Sequence, residues 1–426
     1  MRILLVNYRY FVSGGPERYM FNVTDLLTAA GHEVVPFSVT YDMNEPTPYS
    51  DYFVRPIAGS NQAFFRGQAW SPAVLARALE RTFYSREVYD ALTGLLKQVK
   101  PDVAIVMHYL RKMSPSVLTA LRDANVPCVV RLSDYGMVCA ESHQTRNDTQ
   151  CTECAGGRLL PGVLNRCVQG SMGASAVNAA ATMLHRARGW YDIPFAYVAP
   201  SAALRAAMLE CYRWPGDKVR LLPTFVPERA SQTPVLQRLP EIAYVGRLDR
   251  LKGVDVLLEA YGILSDRIGE PTPKLVIAGS GSSADDARVR GLADTLQVRT
   301  PVEFRGEMNG DAVFDLLANA SVSVVPSLCV ENLPNSLLES LACGTPVVAS
   351  DTPSMAEVLE GSRAGILVPA GDAAALAQAL EQILTADVGD RQQMSSAAVN
   401  LAHEIYSPAR HLAVLSSLLE EAVASR

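Results

Sequence analysis

The sequence has no long apolar run. Its opening, Ile3-Leu4-Leu5-Val6, is four residues, against roughly twenty needed to cross a bilayer. The same stretch is too short for the apolar region of a signal peptide, so a cytoplasmic protein is expected. Charge is sparse as well. Charged residues are 19% and hydrophobic residues 49% of the 426, which excludes a disordered chain or a coiled coil. Lys and Arg number 38 against 44 Asp and Glu, a net charge of −6, and no field of that sign gathers nucleic acid. Any anionic ligand must be met by a few placed cations. Eight cysteines in a chain this long do not make a disulfide scaffold. A Walker phosphate loop is missing, which argues against an NTPase. Gly279-x-Gly281 lacks the third glycine of a dinucleotide fingerprint and has no convincing acid about twenty residues on, which argues against a dehydrogenase.

What is present is a βα rhythm. The length predicts two or three domains at roughly 100–200 residues each. Ile3–Val6 reads as a buried strand, followed by the loop Ser13-Gly14-Gly15-Pro16-Glu17, a helix from about Tyr19 to Ala30, and a strand at Glu33–Val39. Strand, helix, strand at these lengths implies parallel pairing. Further strands are expected at Val103–Met107, Cys128–Leu132 and Phe195–Val198. The polar, proline-bounded stretch from Arg229 to Pro240 reads as a linker between a first domain over 1–228 and a second over 241–405. In the second, strands are expected at Glu241–Val245, Lys274–Ala278, Val302–Phe304, Val322–Val325, Pro346–Ala349 and Gly365–Val368, with helices such as Val254–Leu264 and Ser336–Ala342 between them. Residues 406–426 read as a closing helix that crosses back to brace the first domain. The expected fold class is α/β, two doubly wound Rossmann-like domains facing a central cleft, where ligands of such sheets bind.

Two segments of the second half carry chemistry. From Ser327 to Glu339 a loop follows a strand, Pro334 suits a helix start and Gly344 its end. Backbone N–H groups at such a start bind anionic or hydroxyl oxygens. Glu331 in the loop and Glu339 in the helix can each clamp a diol, one on a sugar ring and one on a ribose. Taken singly, either glutamate would be a solvated surface carboxylate. In Gly246-Arg247-Leu248-Asp249-Arg250-Leu251-Lys252-Gly253, two cations at a strand-to-helix turn suit a diphosphate, Arg247 by bidentate contacts and Lys252 as a point charge.

These segments resemble retaining glycosyltransferases of family 4 with the GT-B architecture. The resemblance rests on Gly246-Arg247…Lys252-Gly253, Ala278-Gly279-Ser280-Gly281, Phe304-Arg305-Gly306, Glu331 through Glu339, and Ala342-Cys343-Gly344-Thr345-Pro346-Val347-Val348. The first half follows through Gly14-Gly15-Pro16-Glu17 and Gly31-His32-Glu33-Val34. Asn7-Tyr8-Arg9-Tyr10-Phe11 and the bunched cysteines resemble a subgroup found in bacterial surface-polysaccharide gene sets. The resemblance implies a nucleoside-diphosphate sugar donor, with UDP favoured by family frequency, and a glycan or lipid-linked acceptor. It implies that Arg247 and Lys252 hold the diphosphate, Glu339 the ribose, and Glu331 the transferred sugar. Backbone groups around Asn332, Leu333, Pro334, Asn335 and Ser336 would help. Gly14 and Gly15 would let a loop approach the diphosphate, and Arg305 would lie near the base. No catalytic metal is expected where two cations stabilise the leaving group. Same-face attack is favoured, with a phosphate oxygen taking the acceptor proton. An epimerase and a catalytically silent binding subunit are the alternatives.

The first half departs from the family at one point. Ser133 stands where a histidine is usual, Asp134 is retained as the candidate for orienting the acceptor, and His108 is a possible replacement. Basic residues at helical spacing (Arg77, Arg81, Arg86, and Met183 through Arg188), with Phe64, Phe65 and Trp70, suggest a basic amphipathic face for peripheral membrane contact. Cys139, Cys151, Cys154 and Cys167 follow the order C-x11-C-x2-C-x12-C. Two sulfurs of the central pair chelate one ion and the outer two close a tetrahedron, so a structural zinc is expected to hold this glycine-rich excursion.

Overall fold

Short strands with two apolar faces need helices on both sides. A computed structural model, which describes residues 1–59, 71–147, 149–227, 238–269, 271–296, 298 and 300–426, supplies them. The chain divides into two units, Met1–Ser142, Thr152–Leu222 and Leu412–Arg426 in the first, His143–Cys151 and Pro223–His411 in the second.

The first unit runs β1 (Arg2–Val6), α1 (Gly15–Ala29), β2 (Glu33–Phe37), α2 (Pro72–Phe83), α3 (Arg86–Val99), β3 (Val103–Val106), α4 (Ser116–Asp123) and β4 (Cys128–Arg131). A two-stranded antiparallel ribbon follows, β5 (Thr145–Arg146) and β6 (Thr149–Gln150). The first unit then resumes with α5 (Leu160–Leu164), α6 (Met172–Ala187), β7 (Ala196–Ala199), α7 (Ala202–Tyr212) and β8 (Val219–Leu221). Its sheet is parallel in the order β2-β1-β3-β4-β7-β8, with Ile3 between Val34 and Val103. Local chemistry explains the helix bounds. In α3, Ser85 caps the start by accepting from the Val88 N–H, Val88, Leu92, Leu95 and Leu96 form the buried stripe, and Lys100 closes the end at φ 49°. α1 begins at Gly15, ahead of the Tyr19 expected, because Pro16 is preset for a first turn.

The second unit runs β9 (Leu239–Val245), α8 (Val254–Ile268), β10 (Lys274–Ala278), α9 (Ser283–Thr295), β11 (Glu303–Gly306), α10 (Gly310–Asn319), β12 (Ala320–Val325), α11 (Asn335–Ala342), β13 (Val347–Ser350), α12 (Pro353–Leu359), β14 (Gly365–Val368), α13 (Ala373–Thr385) and α14 (Val388–Ile405). The last helix, α15, spans Pro408–Ala424, and from Leu412 onward it belongs to the first unit. The parallel order is β11-β10-β9-β12-β13-β14. Alternation along these strands feeds two cores. Ala243, Val276 and Val347 pack with Leu337, Leu338 and Leu341 of α11. Ile242, Tyr244, Leu275 and Ile277 pack with Leu257 and Tyr261 of α8 and Leu376 and Leu380 of α13.

Two expectations change here. Of the linker read over Arg229–Pro240, residues 229–237 lie outside the described ones, while Leu239 and Pro240 already belong to β9. A proline is tolerated at a strand start, where it costs no ladder bond. Of the basic face expected here, Arg86 and Arg188 are exposed, but Arg77, Arg81, His185 and Arg186 turn inward. Arg81 is buried, its guanidinium donating to Glu87 (3.0 Å) and to the Arg55 carbonyl (3.1 Å), and Arg77 donates to the Pro56 carbonyl (2.9 Å). His185 is buried against the Phe83 carbonyl, and Arg186 turns to the Gly157 carbonyl (2.8 Å). These groups face inward because carbonyls and a carboxylate there satisfy them. Phe64, Phe65 and Trp70 lie outside the described residues.

Candidate functional site

In the second sheet β10 and β11 lie on one side of β9 and β12 on the other. The loops after β9 and β12 therefore diverge, and a crevice opens at the carboxyl ends of these strands. Backbone bonds tie the loops together: Gly246 N–H to the Ala278 carbonyl (3.0 Å), Leu248 to Ser280 (3.1 Å), and Leu328 to Leu251 (2.8 Å). Gly253 (φ 70°) passes so near β12's loop that a Cβ there would sit 1.9 Å from the Pro326 carbonyl oxygen.

At this reversal Lys252 Nζ meets Glu331 Oε1 at 2.5 Å, both side chains largely buried. Ser327 Oγ donates to the same carboxylate oxygen (2.8 Å), and Ser354 Oγ of α12 donates to the Glu331 carbonyl (2.7 Å). Burial pushes the Glu331 pKa up, but Lys252 and Ser327 outweigh it and hold the carboxyl below its ordinary range. Burial likewise works against the Lys252 ammonium, and Glu331 raises its pKa on balance. Both groups are charged at neutral pH. Neither Glu331 nor Glu339 is the solvated carboxylate that a single motif would suggest, since Glu339 on α11 is 5% exposed.

The other residues picked from the sequence distribute around this pair. Arg247 is exposed and held by Asp249 (3.0 Å), its carbonyl accepting from Tyr244 Oη (2.6 Å). Its charge still reaches Glu331. Asn332 and Leu333 lead to Pro334, which caps α11 without a side-chain hydrogen bond, so Asn335 and Ser336 open the helix with their N–H groups directed out of its start. Arg305 is not brought to the pair. It lies on the edge strand β11 and donates to Glu303 (2.7 Å), which also holds Lys274 (2.6 Å). Sequence reasoning passed over Ser327, Asp249 and Tyr244, which lie in segments already singled out, and Ser354, for which spacing gave no signal.

The first unit has its own reversal between β1 and β3. Tyr8 N–H donates to the His108 carbonyl (3.2 Å) and His108 N–H to Asn7 Oδ1 (3.2 Å). The His108 ring faces Asp134 after β4, Nε2 to Oδ2 at 3.4 Å, while its Nδ1 is buried with no partner among the described residues. Gly136 N–H donates to the other Asp134 oxygen (2.7 Å). Arg9 lies 4.6 Å over the Tyr8 ring and donates to Ser13 Oγ (2.7 Å), beside buried Glu17. Burial, with Arg9 and Arg111 nearby, pushes Lys112 down to about 7. Gly14 and Gly15 start α1 here. A Cβ on Gly14 would meet nothing closer than 3.7 Å, so packing alone does not require glycine.

The His108–Asp134 pair sets a pH dependence. Burial disfavours the imidazolium, yet the Asp134 hydrogen bond and charge raise the His108 pKa overall, and burial of Asp134 is outweighed by His108 and Gly136, which lower its own. The pair's stabilisation is therefore complete between the unfolded values, about 3.9 and 6.5. It is lost above as pH rises through the raised His108 pKa, and below as pH falls through the lowered Asp134 pKa. Melting curves of wild type and Asp134→Asn should differ most at mildly acidic pH and converge toward alkaline pH. A gap that stays constant with pH would count against the pair.

With both crevices in view, the second unit resembles a known family. Residues 239–386 match the glycosyl transferases group 1 family. That match covers less than half of the chain. A phosphatidyl-myo-inositol mannosyltransferase of Mycobacterium leprae is 31% identical over 206 residues, 47% of this chain and 53% of the relative. The chain thus spans about half the length of that relative. Among solved structures, sucrose-phosphate synthase of Thermosynechococcus elongatus aligns over 100% of both chains with a TM-score of 0.72 at 20% identity. Anabaena HepE, solved with UDP-glucose, covers 99% of this chain and 100% of its own with a TM-score of 0.62 at 14% identity. Both likenesses establish the fold, two Rossmann-like parallel-sheet domains of the GT-B type.

The zinc expected of Cys139, Cys151, Cys154 and Cys167, all outside the matched residues, finds no support in the structure. All eight cysteines are thiols, and no group of three or more His, Cys, Asp or Glu side chains that could hold a metal gathers among the described residues. Cys151 closes the β5–β6 ribbon, its N–H donating to the Gln144 carbonyl (2.7 Å), while Cys139 sits in a turn on Tyr135 (2.8 Å) and Cys167 follows α5 on Gly162 (3.0 Å). Backbone bonds such as Tyr135 N–H to the Ser142 carbonyl (3.1 Å) order part of the excursion.

Proposed function

We propose that this protein is a retaining glycosyltransferase that moves a sugar from a nucleoside-diphosphate sugar to a hydroxyl of a glycan or a lipid-linked acceptor. The observation that carries the reading is the buried Lys252–Glu331 pair at the reversal of a family-matched sheet. Lys252 keeps its charge because Glu331 faces it, and it presents its remaining N–H groups to the crevice. Arg247 adds an exposed guanidinium at the mouth. Together they stabilise a diphosphate as the bond from the anomeric carbon to its phosphate oxygen breaks and the electron pair moves to that oxygen. Glu331 and the N–H groups opening α11 hold sugar hydroxyls, and buried Glu339 holds the ribose. In the same-face path the acceptor oxygen bonds the anomeric carbon and its proton passes to the leaving phosphate. Asp134, with the His108 Nε2 beside it, orients the acceptor hydroxyl, and the space over Gly14 admits substrate. The UDP-glucose complex of the Anabaena neighbour is the reason to favour uridine.

The test is turnover of UDP-, GDP- and TDP-sugars with a panel of acceptors, followed by NMR of the product's anomeric centre. Acceptor-dependent release of nucleoside diphosphate with the donor's configuration kept is the expected result. Inversion would remove the retaining mechanism. A change of sugar stereochemistry without transfer would indicate an epimerase, and binding without turnover a silent subunit.

A further inference from the structure

The crevice of the first unit gathers cations around one ring. Arg9 lies 4.6 Å from the centre of the Tyr8 ring and Lys112 5.5 Å from it, so two positive charges share a single aromatic side chain. The His108 ring meets Tyr8 edge-on, with centroids 5.9 Å apart. Arg111, next to Lys112, holds φ 59°, a conformation that residues other than glycine rarely adopt, and Ser114 does the same at 71°. Buried Met113 pins this loop, and the Tyr109 carbonyl accepts from the Met113 (2.8 Å) and Ser114 (2.9 Å) N–H groups. Backbone strain kept beside like charges points to a ligand rather than to packing.

Charge and shape identify that ligand. Groups of both signs surround the ring. Glu17 of α1 faces Arg9 (3.7 Å) and accepts from Ser13 Oγ (3.0 Å), and Asp134 is taken up by His108 and the Gly136 N–H. Tyr41, after β2, adds a phenol. Both carboxylates are thus engaged. Burial, Arg9 and Arg111 all disfavour the Lys112 ammonium and bring it to about 7. An incoming anion offsets that repulsion. A planar carboxylate is met in full by one guanidinium fork, whereas two forks and an ammonium suit the three oxygens and nearly double charge of a phosphate.

We propose that Arg9, Arg111 and Lys112 form a subsite for a phosphate ester carried by the acceptor. The inference rests on reading this crevice as the acceptor's side, and it is tested without donor so that the two can fail separately. Inorganic phosphate is titrated calorimetrically into the full chain at about pH 8, in buffers of different ionisation enthalpy. A lysine titrating near 7 is mostly neutral there, so filling the subsite should draw in up to about one proton per phosphate. Lys112→Met should weaken phosphate binding by about ten- to a hundredfold. Its melting temperature should hold or rise, since a repelled charge is removed. Lys112→Arg should bind as wild type does but without proton uptake, because a guanidinium is already charged. Glucose 6-phosphate and glucose carried on an octyl diphosphate then distinguish a soluble sugar phosphate from a lipid-linked one, the tighter probe naming the source. Glucuronate should bind more weakly than either, and saturating UDP should leave phosphate capture intact. Wild type that binds phosphate no better than Lys112→Met, takes up no more protons than Lys112→Arg, or loses phosphate to UDP would overturn the proposal. Phosphate capture by a protein that transfers nothing would keep the subsite and remove the transferase. Transfer to neutral glycans without phosphate capture would do the reverse.

Discussion

Lys252→Met should reduce sugar transfer by about 10²–10³-fold, the scale seen when one preorganised stabiliser of a developing negative charge is removed. The loss should fall on kcat, because the charge on the leaving diphosphate grows as its bond to the sugar breaks. A second effect follows from the partner it leaves behind. Glu331 would stay in a largely buried place with only the Ser327 hydroxyl and the weakly donating Cys329 thiol (3.8 Å) on its carboxylate. Breaking a buried pair from one side costs roughly 3–5 kcal/mol, relieved in part when the carboxyl takes up a proton. Lys252→Met should therefore unfold at lower denaturant than wild type, and less so in acid. Lys252→Met/Glu331→Gln should recover most of that stability and none of the activity. Near-wild-type transfer in Lys252→Met would remove the pair from the chemistry.

Gly279→Ala is the second substitution expected to have a large effect, this time on the fold. Gly279 adopts φ 140°, and a Cβ there would lie 1.8 Å from the Gly246 carbonyl oxygen. Neither atom can yield easily, since Gly279 N–H is bonded to the Gly306 carbonyl (2.6 Å) and Gly246 N–H to the Ala278 carbonyl (3.0 Å). Urea unfolding should show a loss of roughly 3 kcal/mol or more. The Arg247 loop should shift with it, so nucleotide binding should weaken too. Gly291→Ala, in exposed mid-α9 with nothing within 4 Å of the added carbon, is the control. It should stabilise by up to about 1 kcal/mol. Equal behaviour of the two variants would show that the close approach at Gly279 relaxes at little cost.

What the sequence disclosed and what it hid divide along physical lines. Strands such as Lys274–Ala278 and Gly365–Val368 were readable to the residue, because a parallel strand covered on both faces has to be a short apolar run. Lys252 and Glu331 were readable as candidates, but their 2.5 Å contact comes from the reversal of strand order between β9 and β12, which no local pattern encodes. Ser354 was invisible because it acts on a main-chain oxygen from a separate helix. The orientation of α2 was misread, since charges at helical spacing are assumed to face water. Arg55, Pro56 and Glu87 offer Arg77 and Arg81 enough acceptors to reverse it. The cysteines show the limit of spacing. C-x2-C is a chelating distance along the chain, but no group of three or more potential metal ligands gathers among the described residues.

The division of the chain also bears on how it is made. The first unit is not a continuous stretch: it takes Met1 to Leu222 with one interruption and then Leu412–Arg426. That late helix buries Leu415, Leu418, Leu419 and Ala422, and Arg220 meets Glu421 at 3.4 Å while Arg426 reaches the Pro101 carbonyl at 3.2 Å. On a ribosome adding ~5–20 residues per second, the segment between Leu222 and Leu412 takes roughly ten to forty seconds. During that interval the nascent first half has its sheet but lacks the apolar cover α15 provides. The emerging first unit thus keeps that apolar surface uncovered until the last residues of the chain have been added.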